Sequence, residues 1–200
     1  MCQPIGVLTL QGDYAKHQAA FAALGRETLS VRRPHELENV SCLVIPGGES
    51  TTLTRLVDRV GLRQPLCEFA KTKPVMGTCA GLIMMSSATT DEAKSDYGVE
   101  PLGLLDCTVL RNGYGRQIDS FTAPVDISLL DGSADEYPGV FIRAPRISAV
   151  GAEAEMLVEH NGGAVLVRQG HLLGMTFHPE LTNDLRIHQA FLAILSESQN

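Results

Sequence analysis

The chain has 200 residues, 44% of them hydrophobic, which suits one α/β domain with a sizeable core and makes disorder the wrong default. Its 23 acidic and 16 basic residues leave a net charge of -7 with no basic run, which argues against a nucleic-acid partner. No apolar stretch reaches the length of a membrane span, and Met1-Cys2-Gln3-Pro4 has no basic n-region, so neither a membrane anchor nor a signal peptide is expected.

Ile5 to Leu10 is a continuous apolar run, as for a strand buried on both faces. Asp13 to Leu24 has helical spacing, with His17, Ala20, Phe21 and Leu24 on one side and Gly25 as a stop. Thr28–Val31 and Ser41–Ile45 read as strands. The second ends in Pro46-Gly47-Gly48-Glu49-Ser50-Thr51-Thr52, where Ser50 is the expected N-cap of a helix to about Val60. A helix over Gln64–Ala70 and a strand over Pro74–Thr78 follow. Residues 89–100 are polar and predicted to form a loop. From Leu104 to Val167 the chain changes to short strands and turns: Leu104–Leu110, Phe121–Ile127, Val140–Ile142, Met156–His160 and Ala164–Val167. Asn161-Gly162-Gly163 marks a hairpin. A buried strand, Leu172–Phe177, and a helix from Asn183 to Leu195 close the chain. Strand–helix alternation predicts a three-layer α/β fold: a mostly parallel sheet with helices on both faces, plus antiparallel strands on or beside its edge. With no linker or repeat, residues 1–200 are expected to form a single domain.

The five cysteines are Cys2, Cys42, Cys67, Cys79 and Cys107. Their odd number, wide spacing and lack of a C-x-x-C pair predict free thiols in a reducing cytoplasm, with no metal site. Cys79 differs from the rest. Gly77-Thr78-Cys79-Ala80-Gly81 joins a strand to a helix through a turn of small residues, which lifts a thiol over the N-terminus of the helix and favours the thiolate. By itself the pentapeptide is equally compatible with a buried core cysteine.

A cysteine nucleophile needs a base, and the base an orienting group. Phe177-His178-Pro179-Glu180 offers both. His178 and Glu180 are two apart and share a face on a straight strand, and Pro179 limits their wander. In doubly wound sheets, sites lie beyond the carboxyl ends of the strands, where Cys79 and His178 are both predicted. A thioester mechanism also needs an oxyanion hole. The Ala80 N–H is one candidate donor and the Gly47–Gly48 turn another, unless Pro46-Gly47-Gly48 is merely a strand-to-helix turn. The missing lysine makes a phosphate loop a weak reading of this turn. His188 is expected in the core. His17 is expected either in the core or facing a partner, and His35, His160 and His171 in solvent.

With these residues in hand, the chain resembles the class I (triad) glutamine amidotransferases, and more narrowly the glutaminase subunits of pyridoxal 5′-phosphate synthase. The narrower likeness rests on Leu10-Gln11-Gly12, the Pro46–Thr52 segment, Arg111-Asn112-Gly113-Tyr114-Gly115-Arg116-Gln117, Asp119-Ser120-Phe121, Phe141-Ile142-Arg143-Ala144-Pro145 and Phe177–Thr182. It implies a flavodoxin-like sheet and hydrolysis of L-glutamine to L-glutamate and ammonia. Cys79, His178 and Glu180 would be the triad, and Gly48 and Ala80 the oxyanion hole. Glutamine would be held by Gly48, Glu49, Ser50, Arg111, Ile142 and Arg143. Arg111 or Arg143 could clamp the carboxylate unless each serves a surface salt bridge; Glu49 could meet the ammonium or serve a helix N-terminus. No cofactor or metal is implied. The implied partner is a (β/α)₈-barrel synthase subunit that receives the ammonia, commonly in a ring of twelve decorated by glutaminases. Leu10-Gln11-Gly12 and His17 are expected on the docking face. Rival readings are a glutaminase serving another synthase, a thiol peptidase of the same architecture, and a non-catalytic subunit.

Overall fold

Ile5-Gly6-Val7-Leu8 has no polar side, and such a strand belongs in a sheet covered twice. In the computed structural model, which describes residues 3–91, 99–111 and 120–198, it lies there. β1 (Ile5–Leu8) leads to α1 (Tyr14–Ala23) and β2 (Thr28–Val31). β3 (Cys42–Ile45) leads to α2 (Ser50–Arg59) and α3 (Arg63–Ala70), and β4 (Val75–Thr78) to the short α4 (Ala80–Met85). There follow β5 (Ser86–Asp91), β6 (Leu105–Arg111), β7 (Phe121–Val125), α5 (Ser128–Asp131), β8 (Tyr137–Phe141) and β9 (Arg146–Val150). β10 (Glu155–His160), β11 (Gly163–Gln169), β12 (Leu172–Met175) and α6 (Arg186–Glu197) complete the fold.

The central sheet runs β10-β11-β12-β4-β3-β1-β2. Neighbours from β12 to β2 are parallel, and β11 and β10 continue the sheet antiparallel. Its parallel part, β2-β1-β3-β4-β12, has the strand order of flavodoxin-like sheets. The switch point lies between β1 and β3, and ligands bind outside the carboxyl ends of such strands.

Side-chain alternation assigns the two covering layers. On β3, Leu43 and Ile45 pack with Leu53 and Val57 of α2, Leu66 of α3 and the apolar run of α4. Cys42 and Val44 face the other way, toward Phe21 of α1 and Ile187, Phe191 and Ile194 of α6. The sheet β5-β6-β9 adds Leu105, Cys107, Val109 and Ile147 to the first core. The pair β7-β8 adds Val125, Tyr137 and Phe141 to the second.

One expectation of the fold needs correction. Residues 86–91 form β5, parallel to β6, where a loop was expected from 89; residues 92–98 of that segment lie outside the described residues. The antiparallel strands lie on and beside the main sheet edge as expected: β11 and β10 extend it, while β6–β9 and β7–β8 belong to separate sheets. The hairpin at Asn161-Gly162 is as expected: both residues have positive φ, 51° and 76°, and His160 pairs with Gly163. Cys2, Asn112–Gln117 and Asp119 also lie outside the described residues. No helix among the described residues is long and apolar enough to cross a membrane.

Candidate active site

The site begins with an elbow. Cys79 has φ 48° and ψ -101°, a conformation that L-residues adopt only when surroundings impose it. Its N–H donates to the Met175 carbonyl at 2.9 Å, tying the end of β4 to the end of β12, and its carbonyl accepts from Ile83 N–H at 3.1 Å to open α4. Glycine makes the turn feasible. A Cβ on Gly81 would run into the Ile45 carbonyl, and one on Gly77 into the Met85 sulfur. The helix thus lies directly against the sheet, and Cys79 is raised at its start.

His178 arrives from the neighbouring strand. β12 ends at Met175, and His178 precedes a 3-10 turn over Pro179–Leu181 that contains Glu180. The pair therefore meets across a turn, not along a straight strand as the spacing predicted. His178 N–H donates to the Val140 carbonyl at 2.8 Å, which fixes its backbone. Its ring donates from Nδ1 to Glu180 Oε1 at 2.7 Å and shares the space beside Gly47 with Cys79, whose thiol lies 4.0 Å from the Ile142 carbonyl. Both His178 and Glu180 are buried. Burial opposes a charge on His178, but Cys79 and Glu180 outweigh it and raise its pKa to about 10. Burial likewise opposes the Glu180 carboxylate, while His17 and His178 hold its pKa below the ordinary value.

A cavity of about 250 Å³ opens over this chain. Cys79 and His178 line it together with Gly48, Glu49, Ser50, Arg111, Ile142 and Arg143, so every predicted substrate-contact residue reaches one space. Ala80 is buried beneath the elbow as the first residue of α4; its N–H belongs to the four that a helix leaves without an internal acceptor. Gln11, Asp13 and Ile83 also line the cavity, and the sequence reading did not assign them there. The wall carries both signs of charge, from Arg111 and Arg143 and from Asp13 and Glu49. Arg111 donates from Nη2 to the Thr51 hydroxyl at 3.0 Å.

The cap of α2 is Glu49 rather than Ser50. Its carboxylate accepts from Thr51 N–H at 2.9 Å, Thr52 N–H at 2.6 Å and the Thr52 hydroxyl at 2.5 Å. Of the two roles open to Glu49, this is the helix-terminal one. Burial pushes its pKa up, yet the Thr52 hydroxyl and the two N–H groups leave it below the ordinary value. The Glu49 N–H donates to Gln11 Oε1 at 3.0 Å, which draws the turn after β1 over Gly48.

His17 is also corrected. It is fully buried, with no exposure to offer a docking partner. It sits behind His178 and Glu180, its Nε2 3.3 Å from Glu180 Oε2. His188 is buried as expected, whereas His171 is bonded to the Ala70 carbonyl at 2.8 Å and His160 stacks on Phe141. Asp13, His178 and Glu180 bring one donor atom each within 4.8 Å of one another, a spacing a cation could share. The bond between His178 Nδ1 and Glu180 already engages two of the three.

The sequence profile of the SNO glutamine amidotransferase family matches residues 7–197. Among curated relatives, a pyridoxal 5′-phosphate synthase subunit PdxT from Streptomyces avermitilis is 49% identical over 189 residues, covering 94% of this chain and 92% of its own. The protein of the same name from a Geobacillus species is 45% identical and covers 98% of both chains. A solved glutamine amidotransferase superposes with a TM-score of 0.87 at 37% identity, covering 96% of this chain and 98% of its own. PurLQS from Thermotoga maritima superposes with a TM-score of 0.69 at 16% identity over 96% of this chain and 99% of its own, a likeness of fold alone.

Proposed function

The chain belongs to the SNO glutamine amidotransferase family, and from that premise we propose that it is the glutaminase subunit of a pyridoxal 5′-phosphate synthase. The observation that carries the reading is that Cys79 and His178, the latter bonded to Glu180, line the same small cavity. About 250 Å³ falls below the roughly 300–1,000 Å³ typical of sites for drug-sized ligands, which favours one small metabolite over a peptide segment. Walls of both signs suit the α-carboxylate and α-ammonium of free glutamine, with Arg111 and Arg143 on the carboxylate side and Gly48, Glu49, Ser50 and Ile142 completing the contact.

Cys79 attacks the side-chain amide carbon as the thiolate, paired with the His178 imidazolium. The N–H groups of Ala80 and Gly48 receive the oxyanion. His178 gives its proton to the leaving nitrogen, ammonia departs, and a γ-glutamyl thioester remains. His178, now neutral, takes a proton from water; the hydroxide adds to the thioester carbon, and collapse expels the Cys79 thiolate with L-glutamate. Glu180 holds the imidazole in its Nδ1–H tautomer and stabilises the imidazolium throughout.

The ammonia passes to a synthase subunit built as a (β/α)₈ barrel, in an assembly of twelve synthase and twelve glutaminase subunits. The free thiols at Cys42, Cys67, Cys79 and Cys107 suit a reducing cytoplasm. The test is ammonia release from glutamine by the chain with and without the synthase subunit, beside Cys79→Ala. Turnover dependent on Cys79 and raised by the partner is expected. Equal turnover in Cys79→Ala overturns the mechanism, and equal turnover without the partner overturns the coupling.

A further inference from the structure

Two buried histidines stand behind the triad and have no part in the hydrolysis as written. His17 of α1 and His188 of α6 are both fully shielded from solvent. His17 Nε2 lies 3.3 Å from Glu180 Oε2 and 3.3 Å from the Thr78 hydroxyl, and its Nδ1 lies 3.1 Å from His188 Nε2. Glu180 Oε1 is already engaged by His178 at 2.7 Å. His188, His17, Glu180, His178 and Cys79 thus form one line of side chains.

The carboxylate decides where the hydrogens lie. An ionised carboxylate only accepts, so each ring nitrogen facing it carries a hydrogen: Nδ1 of His178 and Nε2 of His17. A neutral imidazole has one N–H, so His17 Nδ1 is a lone pair and His188 Nε2 donates to it. That leaves His188 Nδ1 bare, and among the described residues neither it nor Glu180 Oε2 has an aligned hydrogen-bond partner. A buried lone pair without a donor is the milder defect, since orphaned N–H groups are the rarer case. Burial favours neutral rings at both positions. It lowers the His17 pKa against the pull of Glu180 and Asp13 and with the repulsion of His178. It brings His188 down to about 3, with His17 adding and Glu180 opposing.

We propose that His17 is a positioning residue for the triad: its Nε2–H, shared with the Thr78 hydroxyl, lies 3.3 Å from the second oxygen of Glu180, which accepts no aligned hydrogen bond, and His188 fixes the tautomer that puts this N–H dipole there. Without that dipole the inner oxygen of a buried carboxylate, which has no aligned donor, also loses the N–H that lies 3.3 Å away. Glu180 then turns or takes up a proton, and His178 loses its fixed acceptor. A filler of the same volume would serve if the role were packing alone, so the two accounts separate experimentally.

This inference rests on the reading of Cys79, His178 and Glu180 as a triad. The test compares His17→Leu, His17→Gln and the wild-type chain by alkylation of Cys79 with iodoacetamide, by glutaminase turnover in the presence of the synthase subunit, and by ¹⁵N NMR of the imidazoles. His17→Leu is expected to slow alkylation at neutral pH and to lower kcat, each about tenfold, the equivalent of one pKa unit in the thiolate–imidazolium pair. KM for glutamine stays within about twofold, because His17 does not touch the cavity. Glutamine at this position can offer an N–H to Oε2 and restores most of both rates. The wild-type spectrum shows His17 protonated on Nε2. A folded His17→Leu with wild-type rates overturns the inference, as does a His17 protonated on Nδ1. If the leucine variant does not fold, the glutamine variant and the wild-type tautomer still decide. A wild-type complex inert toward glutamine overturns the proposed function instead, while alkylation and tautomer continue to report on His17.

Discussion

The N–H of Cys79 donates to the carbonyl of Met175 at 2.9 Å, one residue past the last paired position of β4 and β12, Thr78 with Met175. This bond brings Cys79 and His178, the proposed nucleophile and base, together. It locks the elbow to the strand whose continuation carries His178, so residues 99 positions apart in the chain begin from a common backbone anchor. The separation of thiol and imidazole is thereby set by sheet register and not by flexible side chains, which is the preorganisation that positioned catalysis requires.

Gly47 should tolerate no side chain. A Cβ there would lie 2.9 Å from His178 Nδ1 and 3.4 Å from the Cys79 Cβ, inside the space the imidazole occupies. Gly47→Ala is therefore expected to displace His178 and lower kcat by at least about tenfold, in line with the usual contribution of a positioned acid–base group. Urea denaturation should show a loss of no more than about 1–3 kcal/mol from overpacking. Unchanged kcat would mean that the ring has more room than the geometry allows.

The His178 pKa, raised to about 10, has a consequence for stability. A histidine whose folded value exceeds its unfolded value near 6.5 stabilises the fold fully below that lower value and loses the contribution as pH rises through the folded one. Cys79 is one of the groups that raise it. Cys79→Ser should bring the His178 midpoint down, read by NMR titration of the imidazole. The stability difference between wild type and Cys79→Ser, measured by urea denaturation, should shrink as pH climbs from about 7 toward about 10. A midpoint unmoved by the substitution would separate the thiol from the imidazole.

The central sheet and its strand ends were legible because β1, β3, β4 and β12 are short apolar runs, buried on both faces and closed by glycine, proline or small residues. That placed Cys79 and His178 beyond the carboxyl ends of strands; that those strands, β4 and β12, are neighbours emerges only in the structure. β5 was not legible. Ser86-Ser87-Ala88-Thr89-Thr90 is polar, with Ser87 and Thr90 exposed at the edge of a small sheet, and its strand character comes from pairing with β6. Helical spacing put His17 on an apolar side, yet its partners Thr78, Glu180 and His188 are 61 to 171 positions away, a distance that periodicity does not encode. The cap of α2 was shifted by one residue because a glutamate can reach past the usual Ser, Thr, Asp or Asn geometry and take two N–H groups at once.

Glu49 offers a separable test of cap and pocket. Glu49→Ala should cost about 1 kcal/mol of stability, the ordinary worth of an N-cap. Its folded carboxyl lies below the ordinary value, so its contribution is present above the unfolded pKa and fades as pH falls through the folded one. The destabilisation, read by urea denaturation, should therefore be full at pH 7 and diminish in acid. Glu49→Gln removes the charge but keeps an acceptor oxygen and should recover about half of the loss. A deficit in Glu49→Ala that stays constant down to strongly acid pH would show that the side chain acts through packing.

Arg186 ties α6 to the far side of the second core. It donates from Nη2 to Asp184 at 2.7 Å and to the Glu136 carbonyl at 2.9 Å, and from Nη1 to the Asp135 carbonyl at 2.8 Å and the Ser133 hydroxyl at 3.0 Å. Its guanidinium also lies 5.6 Å from the centre of the Tyr137 ring, and Tyr137 donates to the Asp184 carbonyl at 3.2 Å. Tyr137 packs 5.9 Å from Phe177, which immediately precedes His178, so the network supports His178 from behind. Hydrogen bonds to charged groups contribute about 1.5–3 kcal/mol each before solvent and neighbours take part of it back. Arg186→Ala is thus expected to destabilise by about 2–3 kcal/mol. Arg186→Lys should recover less than half, because an ammonium cannot reproduce the planar fork that serves several acceptors. Since Arg186 does not touch the cavity, KM for glutamine should stay near wild type in both variants. A lysine variant as stable as wild type would reduce the network to a single surface charge.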